Sequence, residues 1–245
     1  MSVRTSRSTH QRTRKLKLAP KIFILDVDGV LVDVQDTYWR SALETIRQLT
    51  GKRVTHRELH RWKGMPGNND DWQMVASWAT ALGYPTSYDQ AKEEFGKFYW
   101  GTDGQAGNVQ REKIIVTPQQ IKRWAAQYEL NVFTGRNRRE FEHTFAKWPG
   151  TAHFKTVITM DDVTKRKPDP EGLYEILGNR DPASALYLGD NIDDALAARD
   201  AGVPFAAIIS TGEHHYRERA AKFRDLGAVA LLPRAIDVNK LLKKA

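Results

Sequence analysis

The sequence predicts an α/β fold: a parallel sheet flanked by helices, with a separate helical domain inserted after the first strand. From Thr117 onward, short apolar segments alternate with segments of helical periodicity, which is the pattern of βαβ units. Between residues 34 and 116 the pattern is helical, and five of the seven tryptophans fall there. These observations predict an α/β core at residues 21–33 and 117–245 and a helical cap at residues 34–116.

The first strand is predicted in the stretch KIFILDV, an apolar run suited to a strand buried on both faces. The pair Asp28-Gly29 favours a turn and ends this strand. Asp26, Asp28 and Asp33 lie within or beside the apolar run, and burying a carboxylate costs several kcal/mol unless a cation or hydrogen bonds compensate. We therefore expect a compensating partner from another part of the chain.

Four helices are predicted in the insertion. The first has apolar residues at three- and four-residue spacing, and the second opens with a capping-box pattern. The segments are DTYWRSALETIRQLTG, THRELHRWKG, a stretch from about Asp71 that ends at Gly-Tyr-Pro, and SYDQAKEEFGKFYWG. Their tryptophans predict a separate aromatic core and argue against a cofactor-binding motif.

The remainder of the chain predicts five further strands, in LNVFTG, FKTVITM, ALYLGD, PFAAIIS and GAVALLP. Helices are predicted between them in TPQQIKRWAAQY, NRREFEHTFAKW, DPEGLYEILG and NIDDALAARDAG, followed by a closing helix in AIDVNKLLKKA. This alternation predicts a parallel sheet.

Residues 1–20 hold six of the 38 basic residues and none of the 30 acidic ones, so the rest of the chain is nearly neutral despite the net charge of +8. We expect a disordered, solvated extension here; a transit peptide and a nucleic-acid-binding arm are the alternatives. No apolar run is long enough to predict a membrane span, and the absence of cysteine fits a reducing compartment. The prediction is a cytoplasmic protein, or an organellar one if residues 1–20 are a transit peptide.

Acidic and polar residues follow several predicted strands at their C-terminal ends. Asp26 and Asp28 follow the first strand, Thr134 follows another, and Asp190 and Asp194 follow a third. Ligands of doubly wound sheets gather at this edge, so these groups and a lysine of the KRKPDP segment should meet there. Oxygen ligands without Cys or clustered His suit Mg²⁺ better than Zn²⁺. Mg²⁺ held in this way typically binds water and phosphate at its remaining coordination positions.

Four segments in this order, DVDGVLVD, VFTG, KPDP and GDNIDD, resemble the four motifs of the haloacid dehalogenase (HAD) superfamily. The resemblance covers residues 22 to 232, and the insertion resembles the α-helical cap of that superfamily. It implies a Rossmann-like parallel-sheet core with an inserted α-helical cap, and Mg²⁺-dependent phosphoryl chemistry.

The resemblance also implies catalytic roles by position. Asp26 matches the nucleophile that forms an aspartyl-phosphate, and Asp28 matches the general acid that later activates water. Thr134 and Lys167 match the residues that hold the phosphoryl group. Lys167 is preferred to the two basic residues before it because it directly precedes Pro-Asp-Pro.

A magnesium site is implied in the same way. It would consist of Asp26, the backbone carbonyl of Asp28, and Asp190, with Asp194 as the final acid that holds the site. The dehalogenases of the superfamily lack the second aspartate, so Asp28 favours phosphoryl chemistry. Asp193 stands where many relatives have other residues and is interpreted as a supporting residue at most.

Two loops are predicted to contact the substrate. The cap loop KGMPGNNDDW is too polar for a packing role, and in capped members of the superfamily such loops face the nucleophile. The second loop directly follows Thr134. The predicted substrate-binding residues are Lys63, Asn68, Asn69, Asp70, Gly135 and Arg136. The alternatives left open are a surface connection for the cap loop, with an aspartate as helix N-cap, and a surface position for Arg136.

Two histidine-bearing segments are interpreted as structural. HRELH at residues 56–60 does not match H-E-x-x-H and is interpreted as a solvated cap helix. EHHY at residues 213–216 is interpreted as a surface turn. Neither is predicted to bind a metal.

The expected function is hydrolysis of a small phosphate monoester through an aspartyl-phosphate, similar to the phosphoglycolate phosphatase branch of the superfamily. Histidinol phosphate or another metabolite phosphate is an alternative substrate, and a sugar phosphomutase would use the same core residues. From a different class, a nucleic-acid-binding protein with a basic arm and a vestigial core stays open. The expected partner is a small phosphorylated metabolite, with neither membrane nor nucleic acid expected; the sequence does not predict the oligomeric state.

Overall fold

A six-stranded parallel sheet forms the centre of the fold. The structure is a computed structural model that describes residues 19–242, so nearly all of the predicted extension at residues 1–20 lies outside the described residues. Within that range the strands are β1 (Ile22–Leu25), β2 (Val32–Asp33), β3 (Gly101–Thr102), β4 (Gln105–Ala106), β5 (Lys113–Ile114), β6 (Glu129–Phe133), β7 (Phe154–Ile158), β8 (Ala185–Gly189), β9 (Phe205–Ile208) and β10 (Ala230–Leu232). The sheet order is β10-β9-β8-β1-β6-β7.

The sheet is buried on both faces, as the apolar runs predict. Phe23 and Leu25 of β1 pack into one hydrophobic cluster, whereas Ile22 and Ile24 pack into another. This separation follows from the two-residue period of a strand, which points successive side chains to opposite faces. Strand β1 pairs with β6 on one side and β8 on the other, so the loop after β1 lies at the middle of the sheet edge.

Nine α-helices cover the sheet or build the insertion within the described range. They are α1 (Arg40–Thr50), α2 (His56–Lys63), α3 (Asp71–Ala81), α4 (Tyr88–Trp100), α5 (Pro118–Ala125), α6 (Arg138–Phe145), α7 (Glu171–Leu177), α8 (Ile192–Ala201) and α9 (Tyr216–Asp225). The expected capping box at the start of α2 is present: Thr55 and Glu58 satisfy each other's backbone N–H groups. Helix α5 begins with Pro118 after a Thr117 cap.

Residues 34–116, called the cap below, contain helices α1 to α4. These helices surround a third hydrophobic cluster that includes Tyr38, Trp72, Trp78 and Phe95. The chain enters the cap after β2 and leaves it through β5, and these two short strands pair antiparallel. The β2–β5 pair therefore links the cap to the sheet.

The end of the chain differs from its prediction. A closing helix is expected over residues 235–245, but the structure has a 3₁₀-helix at Ala235–Lys240. Ala235 and Val238, three residues apart, both pack into the core cluster on one face of the sheet. A three-residue period places both side chains on one side of a 3₁₀-helix, which explains the tighter winding.

Candidate active site

The loop after β1 places two carboxylates at the middle of the sheet edge. Asp26 is buried directly after the strand, and Asp28 follows two residues later. Gly29 then takes a left-handed conformation, with φ of 70°, which favours glycine over any residue with a Cβ. A Cβ at Gly29 would lie 2.2 Å from Oδ2 of Asp190. The glycine therefore permits both the turn and the close approach of Asp190.

Lys167 bridges two of the predicted carboxylates. Its Nζ donates to Oδ1 of Asp26 at 3.0 Å and to Oδ1 of Asp194 at 2.7 Å, and all three side chains are almost fully buried. Asp194 also accepts from the Tyr187 hydroxyl at 2.7 Å and from the backbone N–H of Asn191 at 3.0 Å. The lysine and Asp194 are thus held in place from several sides.

Three carboxylates converge closely enough to hold a metal ion. Asp26, Asp190 and Asp194 each offer an oxygen atom within 4.8 Å of the other two. Burial raises the pKa of Asp26 to about 7, against the opposing effect of Lys167 and with added repulsion from Asp194. Burial and the nearby Asp26 also raise the pKa of Asp190 well above its ordinary value. An oxygen-only set of this kind, with Asp26 and Asp194 buried, Asp190 half-buried and excess negative charge, fits a hard divalent cation such as Mg²⁺.

Asp28 forms a hydrogen-bonded ion pair with Arg136, which lies in the loop after β6. The Nη2 atom of Arg136 lies 2.7 Å from Oδ1 of Asp28, and its Nε lies 3.1 Å from the same oxygen and 3.3 Å from Oδ2. The guanidinium is also bonded to Glu112 and Thr144 and is fully buried. The sequence predicts that Arg136 contacts the substrate, but in the structure protein acceptors already occupy most of its N–H groups.

The rest of the predicted phosphate-binding loop lies beside Lys167. The hydroxyl of Thr134 accepts the backbone N–H of Arg136 at 3.2 Å, which fixes the start of the loop. Gly135 lines the cavity above Asp26, and a Cβ there would lie 2.3 Å from Nδ2 of Asn69. The absence of a side chain at Gly135 thus allows the cap loop to approach the core.

Of the predicted substrate-binding residues in the cap loop, some line the cavity and others bond to protein groups. Lys63 and Asn69 line the cavity, and Lys63 forms an ion pair with Asp71 at 2.7 Å. Asn68, in contrast, donates its side-chain amide to the carbonyl of Trp62 at 2.8 Å and is buried inside the loop. Asp70 caps helix α3, as the structural alternative expected, although it also borders the cavity.

Asp193, which the sequence analysis interprets as a supporting residue at most, anchors the cap loop to the core. Asp193 accepts the backbone N–H groups of Gly67 at 2.8 Å and Asn69 at 3.0 Å. Its side chain is buried, so these bonds replace water as its partners. Arg166 adds a second link, with Nη1 2.9 Å from Oδ2 of Asp70 and 2.8 Å from the Tyr88 hydroxyl.

A small cavity lies between the cap and the carboxylates. Its walls include aromatic side chains from the cap and polar groups from both parts, and its space for the centres of water molecules is ≈ 50 Å³. The aromatic wall consists of Tyr38, Trp39 and Trp72.

Three residues of this site have no role in the sequence predictions. His60 is buried in the cavity wall beside Trp39, so the interpretation of HRELH as a solvated helix is wrong at this position. Arg219 of α9 donates to the backbone carbonyl of Asp190 at 2.6 Å, and Glu140 of α6 borders the cavity. A signal for His60 existed in the sequence: it lies between the apolar Leu59 and Trp62 on one helix. Arg219 and Glu140 sit in ordinary charged helices, where no local pattern marks them.

Comparison with known proteins bears directly on this site. Residues 23–208, which include every carboxylate described above, match the family model of haloacid dehalogenase-like hydrolases. The chain belongs to this family. The match confirms the resemblance expected from the four motifs, and it makes the protein a HAD-like hydrolase.

The HAD-like relatives span several named proteins. Over 197 residues the chain is 33 % identical to pyrophosphatase PpaX of Bacillus velezensis, covering 77 % of this chain and 82 % of that protein. Over 188 residues it is 26 % identical to the imidazoleglycerol-phosphate dehydratase of Phytophthora nicotianae, and there it spans only 41 % of the relative's length. The fold resembles a crystal structure of a predicted phosphoglycolate phosphatase from Haemophilus somnus, with a TM-score of 0.69, 17 % identity and coverage of 91 % and 97 % of the two chains.

Between residues 19 and 242, no helix combines the length and the apolar character that a bilayer crossing requires.

Proposed function

We propose that this HAD-like hydrolase cleaves a small phosphate monoester, with Asp26 as nucleophile and Mg²⁺ as cofactor. The observation that supports the proposal is the position of Asp26. Its carboxylate contacts Lys167 at 3.0 Å and lies close enough to that of Asp190 for both to bind one metal ion. It lines a cavity between the core and the cap. In its ionised form, which the ammonium group of Lys167 favours, this carboxylate can attack phosphorus without a base to deprotonate it. Phosphate monoesters hydrolyse very slowly in water, so such a site must lower the barrier by roughly 20 kcal/mol.

In the first step, an oxygen of Asp26 forms a bond to phosphorus as the bond from phosphorus to the ester oxygen breaks. The departing oxygen takes a proton from Asp28, so the product alcohol leaves neutral. Asp28 suits this role because its side chain borders the same cavity and retains 29 % exposure. The ammonium group of Lys167 stabilises negative charge on the transferring phosphoryl group.

In the second step, water attacks the aspartyl-phosphate and Asp28 takes the proton that water loses. The bond between phosphorus and the Asp26 oxygen breaks, inorganic phosphate leaves, and both aspartates return to their starting states. One group therefore serves as acid and then as base, because the first step leaves Asp28 deprotonated. A phosphomutase would differ only here, by returning the phosphoryl group to a sugar.

The donor set indicates which residues would hold Mg²⁺. We assign the ligands to Asp26, the backbone carbonyl of Asp28, and Asp190. Asp194 already accepts three hydrogen bonds, from Lys167, Tyr187 and Asn191, so we assign it to fixing the lysine beside the metal. When bound, Mg²⁺ supplies positive charge that offsets the crowded carboxylates and the incoming phosphate.

The remaining phosphate oxygens would be met by the loop after β6. The Thr134 hydroxyl accepts from the Arg136 backbone, which leaves its own proton to donate to a phosphate oxygen. The backbone of Gly135 lines the cavity beside it. Together with Lys167, these groups would bind the phosphoryl group from the side opposite the cap.

The size of the cavity favours a small substrate. A cavity with ≈ 50 Å³ of space for the centres of water molecules suits a phosphoryl group with a short organic part better than a nucleotide. Lys63 and Asn69 of the cap loop line the far wall, where an ammonium group and an amide could bind a carboxylate. We therefore propose phosphoglycolate as the first substrate to test.

Inorganic pyrophosphate is the second candidate. The supporting observation is the 33 % identity with pyrophosphatase PpaX of Bacillus velezensis over most of both chains. Pyrophosphate presents a second phosphoryl group in place of the organic part, and it is small enough for the same cavity. Its cleavage would use the same nucleophile.

The test is release of inorganic phosphate from a panel of small phosphates in the presence of Mg²⁺. The panel contains phosphoglycolate, pyrophosphate, histidinol phosphate, β-glucose 1-phosphate and p-nitrophenyl phosphate. We expect turnover by the parent, none by Asp26→Asn, and loss of activity with EDTA that added Mg²⁺ restores. Appearance of a sugar bisphosphate without phosphate release would support a mutase, and silence across the panel would contradict the proposal.

A further inference from the structure

The guanidinium of Arg136 stands at the centre of a buried polar network. Four of its five N–H hydrogens can be assigned to protein acceptors: Nε–H and one Nη2–H to Asp28, the other Nη2–H to Glu112, and one Nη1–H to Thr144. The ring of Tyr38 lies 5.0 Å from the guanidinium carbon. A side chain so fully engaged has little capacity left for a substrate anion.

The acceptor Glu112 belongs to the connection between cap and core. It directly precedes β5, which pairs with β2, and β2 follows the loop that carries Asp28. Glu112 also accepts from the Tyr99 hydroxyl at 3.0 Å, and Tyr99 lies near the end of cap helix α4. Direct contacts therefore run from the cap through Tyr99, Glu112 and Arg136 to Asp28.

The charges of the network explain why Arg136 does not move away from Asp28. Its side chain is fully buried and that of Glu112 nearly so, and separating a buried ion pair leaves a charge without compensation. Burial raises the pKa of the neighbouring Glu140 to about 7, although Arg136 opposes this effect, so Glu140 competes weakly for the guanidinium. Asp28 and Glu112 are therefore its main ionic partners.

We propose that Arg136 is a positioning residue that orients the carboxyl group of Asp28 for proton transfer and couples this orientation to the cap through Glu112. The proposal rests on the proposed function. The two short contacts of Arg136, at 2.7 and 3.1 Å, both involve Oδ1 of Asp28. Oδ2, held only at 3.3 Å, is left as the oxygen that exchanges the proton with the departing alcohol and with water.

The geometry of the fork explains why arginine stands here. Two N–H groups that point in parallel restrict rotation of the Asp28 carboxyl, whereas the ammonium of a lysine is a point charge that does not. A lysine at position 136 would also leave Glu112 or Thr144 without its donor. We therefore expect Arg136→Lys to retain the charge and lose the alignment.

The test compares two substrates that differ in how much they need the acid. p-Nitrophenolate leaves without protonation, whereas the alkoxide of an alkyl phosphate needs a proton. We expect Arg136→Lys and Arg136→Gln to lower kcat for the best alkyl phosphate of the panel by about 100-fold or more, the usual range for general acid catalysis, with KM changed less than about threefold.

With p-nitrophenyl phosphate, the same variants should retain a fast first turnover. It should appear before the steady state as a burst of p-nitrophenol, at a rate within about fivefold of the parent rate. A slow steady state should follow, because hydrolysis of the aspartyl-phosphate still needs Asp28 as base. The control is Arg138→Gln, which removes a surface arginine paired with Asp162; we expect parent kinetics on both substrates.

Glu112→Gln tests the coupling and provides a second variant if the Arg136 variants fail to fold. It retains the shape and removes one charge held by Arg136, so we expect a loss of about tenfold on the alkyl phosphate with the burst preserved. Equal losses in the rate of the first turnover on both substrates, or a rise in KM at constant kcat, would overturn the positioning role. Failure of the proposed function would look different, since the parent would then release no phosphate or Asp26→Asn would match it.

Discussion

The Nζ atom of Lys167 lies 3.0 Å from Oδ1 of Asp26, although 141 residues separate the two in the chain. Lys167 contacts Asp194 as well, so one buried cation compensates two buried carboxylates. This arrangement answers the question posed by the acidic residues in the first apolar run: part of the compensation comes from a lysine on a distant loop.

We predict that Lys167→Met destabilises the fold and abolishes activity. Removing one partner of a buried ion pair costs about 3 to 5 kcal/mol, and here two carboxylates lose their partner. Chemical denaturation of parent and variant measures the loss. Lys165→Met, at a side chain that is 72 % exposed, is the control and should change the unfolding free energy by less than about 0.5 kcal/mol.

Mg²⁺ should stabilise the folded protein through the proposed ligands Asp26 and Asp190. A ligand at 100 times its Kd adds about 2.7 kcal/mol, so the melting temperature should rise with added Mg²⁺ and fall back with EDTA. Asp190→Asn should remove most of this response, whereas the exposed Asp200→Asn should leave it intact. An equal response in all three proteins would argue against a site at Asp190.

Gly29→Ala should disrupt the nucleophile loop. The new Cβ would lie 2.2 Å from Oδ2 of Asp190 and would occupy a backbone with φ of 70°, and the left-handed conformation alone costs about 1 to 2 kcal/mol for other residues. We expect lower stability and a weaker response to Mg²⁺. In Gly96→Ala, in helix α4, the new Cβ would meet Cδ1 of Trp100 at 4.0 Å, an ordinary van der Waals contact, so the change should instead stabilise the fold by about 0.5 to 1 kcal/mol.

Asp193→Ala should loosen the cap loop without touching the carboxylates that hold the metal. The change leaves the backbone N–H groups of Gly67 and Asn69 without their acceptor, which costs about 1 to 3 kcal/mol where water cannot replace it. We expect KM to rise more than kcat falls, because the loop lines the substrate cavity. Steady-state kinetics on the best substrate check this, and a fall in kcat alone would contradict it.

His60 should make the fold sensitive to acid. Burial and the nearby Arg219 lower the pKa of His60 to about 4, below its ordinary value of 6.5, so the unfolded chain binds the proton more readily. The stabilisation by neutral His60 is complete above pH 6.5 and is lost as the pH falls toward 4, by an amount on the order of 2 kcal/mol. His60→Gln should show a shallower loss of unfolding free energy between pH 6.5 and 4.5; equal slopes for the two proteins would contradict the prediction.

The sequence alone predicted the order of strands and helices and the edge of the sheet where the polar residues meet. Those predictions depend on local patterns: the two-residue period of buried strands, the caps of α2 and α5, and the turn at Asp28-Gly29. The errors arise from packing. The final 3₁₀-helix follows the packing of Ala235 and Val238. The burial of His60 depends on other segments, because Trp39 and His214 pack against its ring.

Only the tertiary structure decided how the charged side chains pair. Arg136 and Asp28 lie 108 residues apart, and Asp193 and Gly67 lie 126 apart; no periodicity or spacing links such positions. A buried charge takes the partner that folding brings within reach, because water can no longer solvate it. The sequence by itself thus determined which residues reach the edge of the sheet, and the packing of cap against core determined that Arg136 contacts Asp28 and that Asp193 contacts the cap loop.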